Sequence, residues 1–268
     1  MARPRVLVLT GYGINCDFET KAAFETAGAR ADRVHINDLI SGEKRLSDYQ
    51  ILAFPGGFSF GDDIASGRVF GVKVKINLGD EVREFIDAGK LVLGVCNGFQ
   101  AMAKYGLLSG PDGDYRDQRV TVTFNDTNRY EDRWVYLKSR TDRCVWTRSI
   151  DSLYIPVAHG EGKFYAKEDE LSAIEDNDQV VFSYSTPELE PAGGEFPWNP
   201  NGSLKDIAAM CDKTGRLLGI MPHPERFLHF TNHPRWTRMK EELKRKGREI
   251  PEEGDGVAVF RNGVEYFN

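Results

Sequence analysis

The sequence predicts an α/β fold organised around a mostly parallel, doubly wound sheet, with an added antiparallel part. Apolar runs such as Val6–Leu9 and Leu91–Val95 have the unbroken hydrophobicity of strands that are buried on both faces. Helical patterns alternate with these runs as far as Tyr105, which favours parallel strands joined by crossover helices. From about Arg119 polar and apolar residues alternate instead, as is typical of antiparallel strands with one solvated face.

The first half of the chain is predicted to alternate strands with helices. The first helix has acidic residues in its first turn and a glycine at its end, and a later amphipathic segment is also closed by a glycine. The carboxyl ends of parallel strands meet at one edge of the sheet, so a site is expected there. The predicted strands are Arg5–Thr10, Ala31–Asn37, Gln50–Phe54 and Leu91–Val95, and the helices are Asp17–Gly28, Asp80–Ala88 and about Gly98–Tyr105.

The second half is predicted to be richer in strands. Val120–Phe124 and Trp134–Leu137 are expected to form an antiparallel pair, and Pro187–Asn201 a long surface loop. Residues 1–268 are expected to form a single domain, with an extension from about 229 to 268 packed on it. The other predicted elements are the strands Val180–Tyr184, Asp206–Cys211 and Leu217–Met221, a basic helix Arg235–Gly247, and a hairpin of Val257–Phe260 and Val264–Phe267 around Asn262-Gly263.

Composition and charge exclude several classes of protein. Apolar residues make up 40% and charged residues 28% of the 268 residues, which is the balance of a globular domain. The net charge of −6 argues against nucleic-acid binding, and no apolar run approaches the length needed to span a membrane. The N-terminal apolar segment is too short for a signal peptide, and the four cysteines lack CxxC spacing. We therefore expect a reduced, cytoplasmic protein.

A metal site is not predicted. His229 and His233 have the spacing of helical metal ligands, but Pro234 follows directly and no carboxylate pattern accompanies them.

Cys96 lies in the most informative segment, Gly94-Val95-Cys96-Asn97-Gly98, between a predicted strand and a predicted helix. A sharp strand-to-helix turn lifts one side chain above the sheet, and a helix N-terminus favours the thiolate form of a cysteine. Free cysteines more often serve as small buried apolar residues. The flanking glycines leave room for the turn and favour a nucleophile.

His223 and Glu225 offer a base and a carboxylate two residues apart, directly after the predicted strand Leu217–Met221. Histidine titrates near neutrality and suits proton transfer, and a carboxylate can orient its ring. A rigid loop histidine between prolines is the alternative. Together with Cys96, the pair predicts a Cys-His-Glu triad.

Backbone amides near Cys96 could stabilise an oxyanion. Pro55-Gly56-Gly57 ends another predicted parallel strand, so the Gly57 amide and the amide of Asn97 would lie at the same sheet edge as the thiol. An ordinary glycine turn is the alternative for this motif.

These motifs, in the order Pro55-Gly56-Gly57, Gly94–Gly98 and His223-Pro224-Glu225, resemble the class I, triad-type glutamine amidotransferases. Further segments resemble one branch, the glutaminase subunits of phosphoribosylformylglycinamidine synthases of purine biosynthesis: 13–17, 56–62 and 158–162. The resemblance implies a flavodoxin-like sheet and hydrolysis of L-glutamine to glutamate and ammonia through a Cys96 thioester.

The resemblance also implies the roles of several residues. Gly57 and Asn97 match oxyanion-hole positions, and Gln100 and Gly56 match positions near bound glutamine. His159 is assigned to the site or to a partner-facing surface, with a structural loop role as the alternative. About 40 residues follow Glu225 and an acidic segment covers Asp112–Asp117, which suggests a longer variant of the family.

The implied partners are a synthetase subunit, which would use ATP and Mg²⁺ to accept the ammonia, and a small third subunit. The sequence has no GxxxxGK[ST] motif, so no cofactor is expected on this chain. Three alternatives remain open: an amidotransferase subunit of another synthetase, a cysteine hydrolase on the same fold, and a binding module with an idle triad.

Overall fold

The computed structural model describes residues 3–108 and 115–268. Within these residues, nine strands form one sheet and two more form a separate pair. The strands are β1 (Arg5–Thr10), β2 (Arg30–His35), β3 (Ile51–Phe54), β4 (Leu91–Val95), β5 (Val120–Thr123), β6 (Glu131–Ser139), β7 (Ser152–His159), β8 (Lys163–Ala166), β9 (Val180–Ser185), β10 (Ile207–Cys211) and β11 (Leu217–Ile220). The helices are α1 (Asp17–Thr26), α2 (Ile36–Ile40), α3 (Arg68–Asp87), α4 (Asn97–Tyr105), α5 (Glu168–Asp176), α6 (Trp236–Arg245) and α7 (Val257–Glu265).

The large sheet has the order β2-β1-β3-β4-β11-β10-β9-β6-β7. Its first five strands are parallel, and the remaining four join them in antiparallel fashion. Strands β1, β3 and β4 are almost entirely buried, as their unbroken apolar runs predict. The mostly parallel α/β fold with an antiparallel part is therefore confirmed.

The topology places four loops side by side at one edge of the sheet. Strands β1, β3, β4 and β11 are consecutive neighbours and run in the same direction, so their carboxyl ends lie together. The register pairs Phe54 with Gly94 and Val95 with Ile220, which aligns the ends of the three central strands. The segments that follow these strands contain the residues predicted for the site.

The predicted C-terminal hairpin is wrong, because Val257–Glu265 forms helix α7. Val257, Phe260 and Val264 are buried, and their spacing of three and four residues serves one face of a helix. The ring of Phe260 packs edge-on against Phe24 of α1 at 5.0 Å. Gly263 supports close packing instead of a turn, since a Cβ there would collide with the indole of Trp146.

The predicted pairing of the first two antiparallel strands is also wrong. β5 pairs with β8 in the separate two-stranded sheet, whereas β6 pairs with β7 and β9. Alternation of polar and apolar residues defines the faces of a strand but does not identify its neighbour. Strands β7 and β8 and helix α5 were not predicted.

Other boundaries differ from the predictions. Helix α3 begins at Arg68, twelve residues before the predicted helix, and the predicted second strand ends early because Ile36–Ile40 is helical. The segment Pro187–Asn201 is a loop, but Asn201 near its end is buried. The acidic segment lies outside the described residues at 112–114.

The C-terminal part from residue 229 contacts the rest of the chain through α7, while α6 has no buried residue. The division into a domain and an extension stays a prediction. In the part of the chain described, no helix combines the length and apolar character that crossing a membrane requires.

Candidate active site

Cys96 occupies a strained turn between β4 and α4. Its φ of +51° and ψ of −107° are sparsely populated for a residue with a side chain, and its amide donates to the carbonyl of Ile220 at 2.8 Å. Gly98 makes the turn feasible, because a Cβ at this position would lie 1.9 Å from the carbonyl oxygen of Phe54. The thiol is thereby held at the N-terminus of a helix, with the side chain 4% exposed.

His223 and Glu225 follow β11, the parallel neighbour of β4. His223 Nδ1 and Glu225 Oε1 are 2.6 Å apart, and both side chains are at most 1% exposed. The amide of His223 donates to the carbonyl of Pro156 at 2.8 Å, which fixes the backbone of the segment. The ring nitrogen Nε2 has no hydrogen-bond partner among the described residues. It is the nitrogen left available for a proton transfer.

The electrostatic surroundings of His223 favour the imidazolium form. Burial alone lowers the pKa of His223, but the carboxylate of Glu225, followed by the thiols of Cys96 and Cys16, raises it well above its ordinary value. A cationic imidazole beside a cysteine stabilises the thiolate, which is the nucleophilic form.

Gly56 and Gly57 follow β3 and lie beside His223. The carbonyl oxygen of Gly56 accepts hydrogen bonds from the amides of Cys16 at 3.1 Å and Asn15 at 3.4 Å. A peptide group is planar and trans, so the N–H of Gly57 points in the opposite direction from that carbonyl. Gly56 packs against the ring of His223, since a Cβ on Gly56 would lie 3.0 Å from Cε1. Gly56 therefore supports the ring and offers no free carbonyl to a ligand.

Asn97 and Gln100 lie on the first turn of α4. Asn97 is the first residue of the helix, so its N–H has no partner within the helix. Its side-chain amide donates to Gln100 Oε1 and to Asp62 Oδ1, both at 2.9 Å, and the side-chain Nε2 of Gln100 donates to the carbonyl of Glu161. The two side chains are buried and held in one orientation.

A cavity of about 360 Å³ opens beside these groups. Burial, and then the charge of Cys96, raises the pKa of Tyr130, one of the residues that line the cavity. The cavity is large enough for an amino acid side chain and its backbone groups. It is lined by Phe58, Asp62, Ser66, Phe124, Asn128, Arg129, Tyr130, Gly160 and Glu161.

His159 is the last residue of β7 and is buried, and its assignment to the site or to a partner-facing surface stays a prediction. It is 3% exposed, and burial, followed by the charge of His223, lowers its pKa to about 3. Its ring contacts Asn125 Oδ1 at 3.1 Å and Asn201 Nδ2 at 3.4 Å, as a neutral imidazole can. The preceding carbonyl, that of Ala158, lies 3.7 Å from Cys96 Sγ. His159 thus anchors a turn that contacts the thiol.

One group of side chains has the composition of a metal site. The donor atoms of Cys16, His223 and Glu225 lie within 4.8 Å of one another. However, Arg226 Nη2 lies 3.1 Å from Cys16 Sγ and already places a cation beside the sulfur. His233, considered in the sequence, packs its ring against aromatic neighbours, and its Nδ1 accepts from the amide of Arg235. The absence of a metal stays a prediction.

The sequence interpretation missed Cys16 and Arg226 as neighbours of the site. The segment Gly13–Asp17 is part of the family resemblance, and its position after a strand of the parallel sheet is the signal that could have placed Cys16 near the site. The partner of its thiol, Arg226, is 210 residues away in sequence.

The fold and the Cys-His-Glu group define the class of triad-type amidotransferases. The profile of the CobB/CobQ-like glutamine amidotransferase domain matches residues 3–267, and the chain belongs to this family. It is 52% identical over 266 residues to the phosphoribosylformylglycinamidine synthase subunit PurQ of Methanococcus maripaludis strain S2, which covers 99% of this chain and 98% of the relative.

Two further relatives agree. PurQ of Dehalococcoides mccartyi strain 195 is 43% identical over 267 residues, covering 99% of this chain and 98% of the relative. Among solved structures, that of PurLQS from Thermotoga maritima is similar, with a TM-score of 0.72 and 26% identity over 99% of this chain and 100% of the other.

Proposed function

We propose that this chain is the glutaminase subunit of a phosphoribosylformylglycinamidine synthase. The observation that carries the proposal is the 2.6 Å contact between His223 and Glu225, next to the thiol held by the strained turn at Cys96. The relatives named PurQ, similar over nearly the whole chain, support the choice of synthase.

In the first step the thiolate of Cys96 attacks the side-chain amide carbon of glutamine. A C–S bond forms, and the carbonyl oxygen becomes an oxyanion. His223 donates its Nε2 proton to the amide nitrogen, the C–N bond breaks, and ammonia leaves. Glu225 holds the ring and stabilises its cationic form before that transfer.

The oxyanion is stabilised by the amides of Gly57 and Asn97. The engaged carbonyl of Gly56 turns the Gly57 N–H away from the loop that contains Cys16. The N–H of Asn97 carries the partial positive charge of a helix N-terminus. Such amides are fixed before the reaction, so they stabilise developing charge without reorganisation.

In the second step water hydrolyses the thioester. His223 accepts a proton from the attacking water, the C–S bond breaks, and glutamate leaves while Cys96 is restored as the thiolate beside the imidazolium. The sum is glutamine plus water giving glutamate plus ammonia. Gln100 positions the substrate through the carbonyl of Glu161 at the wall of the cavity.

The ammonia would pass to a synthetase subunit, in a complex with a small third subunit. ATP and Mg²⁺ are proposed to bind that synthetase, and this chain itself is proposed to hold no cofactor. The solved complex named PurLQS supports a multi-subunit assembly. The proposed setting is the cytoplasm.

The test reconstitutes the chain with a synthetase subunit and a small subunit from the same genome. Glutamate and the amidine product are measured with glutamine or with ammonium chloride as the nitrogen donor. Cys96→Ala should abolish the glutamine-dependent reaction and leave the ammonium-dependent one intact, while Cys144→Ala, a buried cysteine in another segment, should retain both. Full glutamine-dependent activity of Cys96→Ala would refute the mechanism. Stimulation by a different synthetase only would refute the assignment to this synthase.

A further inference from the structure

Cys16 is a buried thiol that the proposed reaction does not use. It precedes helix α1, is 1% exposed, and lies among polar groups. Its Sγ accepts a hydrogen bond from Arg226 Nη2 at 3.1 Å and lies 3.3 Å from Asn15 Oδ1. A buried cysteine with such neighbours differs from the apolar packing usual for free cysteines.

The backbone of the segment 13–16 is paired with the oxyanion loop after β3. The amide of Cys16 donates to the carbonyl of Gly56 at 3.1 Å, and the amide of Phe58 donates to the carbonyl of Gly13 at 2.8 Å. Ile14 and Gly57 form an antiparallel bridge between these bonds. The pairing holds the Gly56–Gly57 peptide on both sides, so it fixes the direction of the Gly57 N–H.

The sulfur of Cys16 lies against the imidazole of His223. A Cβ on Gly56 would lie 3.0 Å from His223 Cε1 and 3.2 Å from Cys16 Sγ, so the ring and the sulfur share one face of Gly56. The polar atoms of Cys16, His223 and Glu225 also lie within 4.8 Å of one another. Glu225 therefore contacts one part of the ring, and Cys16 lies close beside it.

We propose that Cys16 is a positioning residue for the glutaminase reaction, because its anchored sulfur holds the His223 ring and its amide holds the oxyanion peptide. This inference rests on the function proposed above. Sulfur is a weak hydrogen-bonding atom, so Cys16 fills the space beside the ring without displacing the charge-assisted contact to Glu225. Arg226, which is 210 residues away in sequence, donates a hydrogen bond to the sulfur and fixes its position.

Several titratable groups lie around His223 and can contribute to the pH dependence of Cys96 alkylation. They come from its own segment, from the ends of β1 and β4, and from the antiparallel half. They are Glu225, Arg226, Cys16, Cys96, Tyr130 and His159.

The experiment compares Cys16→Ala, Cys16→Ser and the control Cys144→Ala in the reconstituted complex. Cys16→Ala removes the sulfur but keeps the backbone amide, and serine retains an acceptor for Arg226. Two quantities are measured: kcat and KM for glutamine, and the pH dependence of Cys96 alkylation by iodoacetamide, followed by peptide mass spectrometry.

For Cys16→Ala we expect kcat to fall about 10-fold with KM within about 2-fold, since a misplaced catalytic group is costly in the transition state. The alkylation profile of Cys96 should shift to higher pH, because a displaced imidazolium stabilises the thiolate less. Cys16→Ser should restore kcat to within about 3-fold of the wild type.

The inference is overturned if Cys16→Ala matches Cys144→Ala in kcat and in the alkylation profile while the wild type is active. It is also overturned if Cys16→Ser is as impaired as Cys16→Ala. Failure of the proposed function would look different, because the wild type would then hydrolyse no glutamine or Cys96→Ala would remain active.

Discussion

Replacing Glu225 by Gln tests the role of its carboxylate in the proposed triad. The change keeps the size of the side chain but removes the charge 2.6 Å from His223 Nδ1, in a site where both residues are at most 1% exposed. Removing one partner of a buried charge pair costs about 3–5 kcal/mol. That cost concerns the stability of the fold. For the reaction, neutralising the carboxylate of a catalytic triad can lower kcat by about 10⁴-fold, so we expect kcat to fall by about 10²- to 10⁴-fold.

The same change has a defined pH signature. The pKa of His223 in the folded protein is raised well above 6.5, because the carboxylate of Glu225 and nearby thiols outweigh the opposing effect of burial. The pair therefore stabilises the fold fully below pH 6.5, and this contribution is lost as pH rises through the raised pKa. The stability difference between the wild type and Glu225→Gln should therefore be largest near pH 6.5 and should shrink as pH rises through the raised pKa of His223.

The assay combines urea unfolding at several pH values, kcat in the reconstituted complex and the pH profile of Cys96 alkylation. Asp212→Asn is the matched control, because Asp212 is a buried carboxylate that precedes β11, whereas Glu225 follows it. The control should lose stability without a shift in the alkylation profile. A Glu225→Gln variant with kcat within about threefold of the wild type and an unchanged profile would refute the reasoning.

Two further predictions concern groups that support the site. His159→Asn should reduce the loss of stability that occurs when pH falls from 6.5 to 4.5. The wild-type ring, with a folded pKa of about 3, stays neutral over this range while the unfolded chain takes up a proton. Urea unfolding at both pH values measures the loss, and an equal loss in the wild type and the variant would contradict the prediction. Gly98→Ala should lower the free energy of unfolding by about 1–3 kcal/mol, because the added Cβ would collide with the carbonyl of Phe54. The control Gly79→Ala, in helix α3, should not destabilise the fold. Equal thermal melting curves for the two variants would be inconsistent with the close contact between Gly98 and Phe54.

The sequence predicted the parallel half of the fold, because it depends on local patterns, and the proposed triad residues were located from the same patterns. An apolar run that ends at a glycine and a cysteine identifies a strand end, and the order of strands places such ends at one edge. The C-terminal hairpin was wrong because valines and an Asn-Gly pair fit a hairpin locally, whereas the packing of Phe260 on Phe24 selects a helix. Local preference was overridden by a tertiary contact.

The position of Cys16 beside the candidate site could not be predicted from the sequence for a different reason. Its hydrogen bonds reach the loop after β3 and the residue Arg226, and neither contact follows from spacing along the chain. Knowing that β1 and β3 are neighbours would have placed its loop beside Gly56. The identity of strand neighbours, and not the existence of the strands, was the missing information.

The antiparallel half also contributes to the site, which argues against treating it as a mere addition to the parallel sheet. Strand β7 is last in the sheet order, four positions from β11, yet its Pro156 carbonyl accepts from the amide of His223, which follows β11. Its next residues place the Ala158 carbonyl near Cys96 Sγ and hold the buried ring of His159. The loops after the parallel strands thus contain the proposed nucleophile, base and oxyanion peptide, and β7 contacts the first two from the antiparallel end of the same sheet. A change that displaces β7 should therefore impair catalysis even where the four parallel loops stay intact.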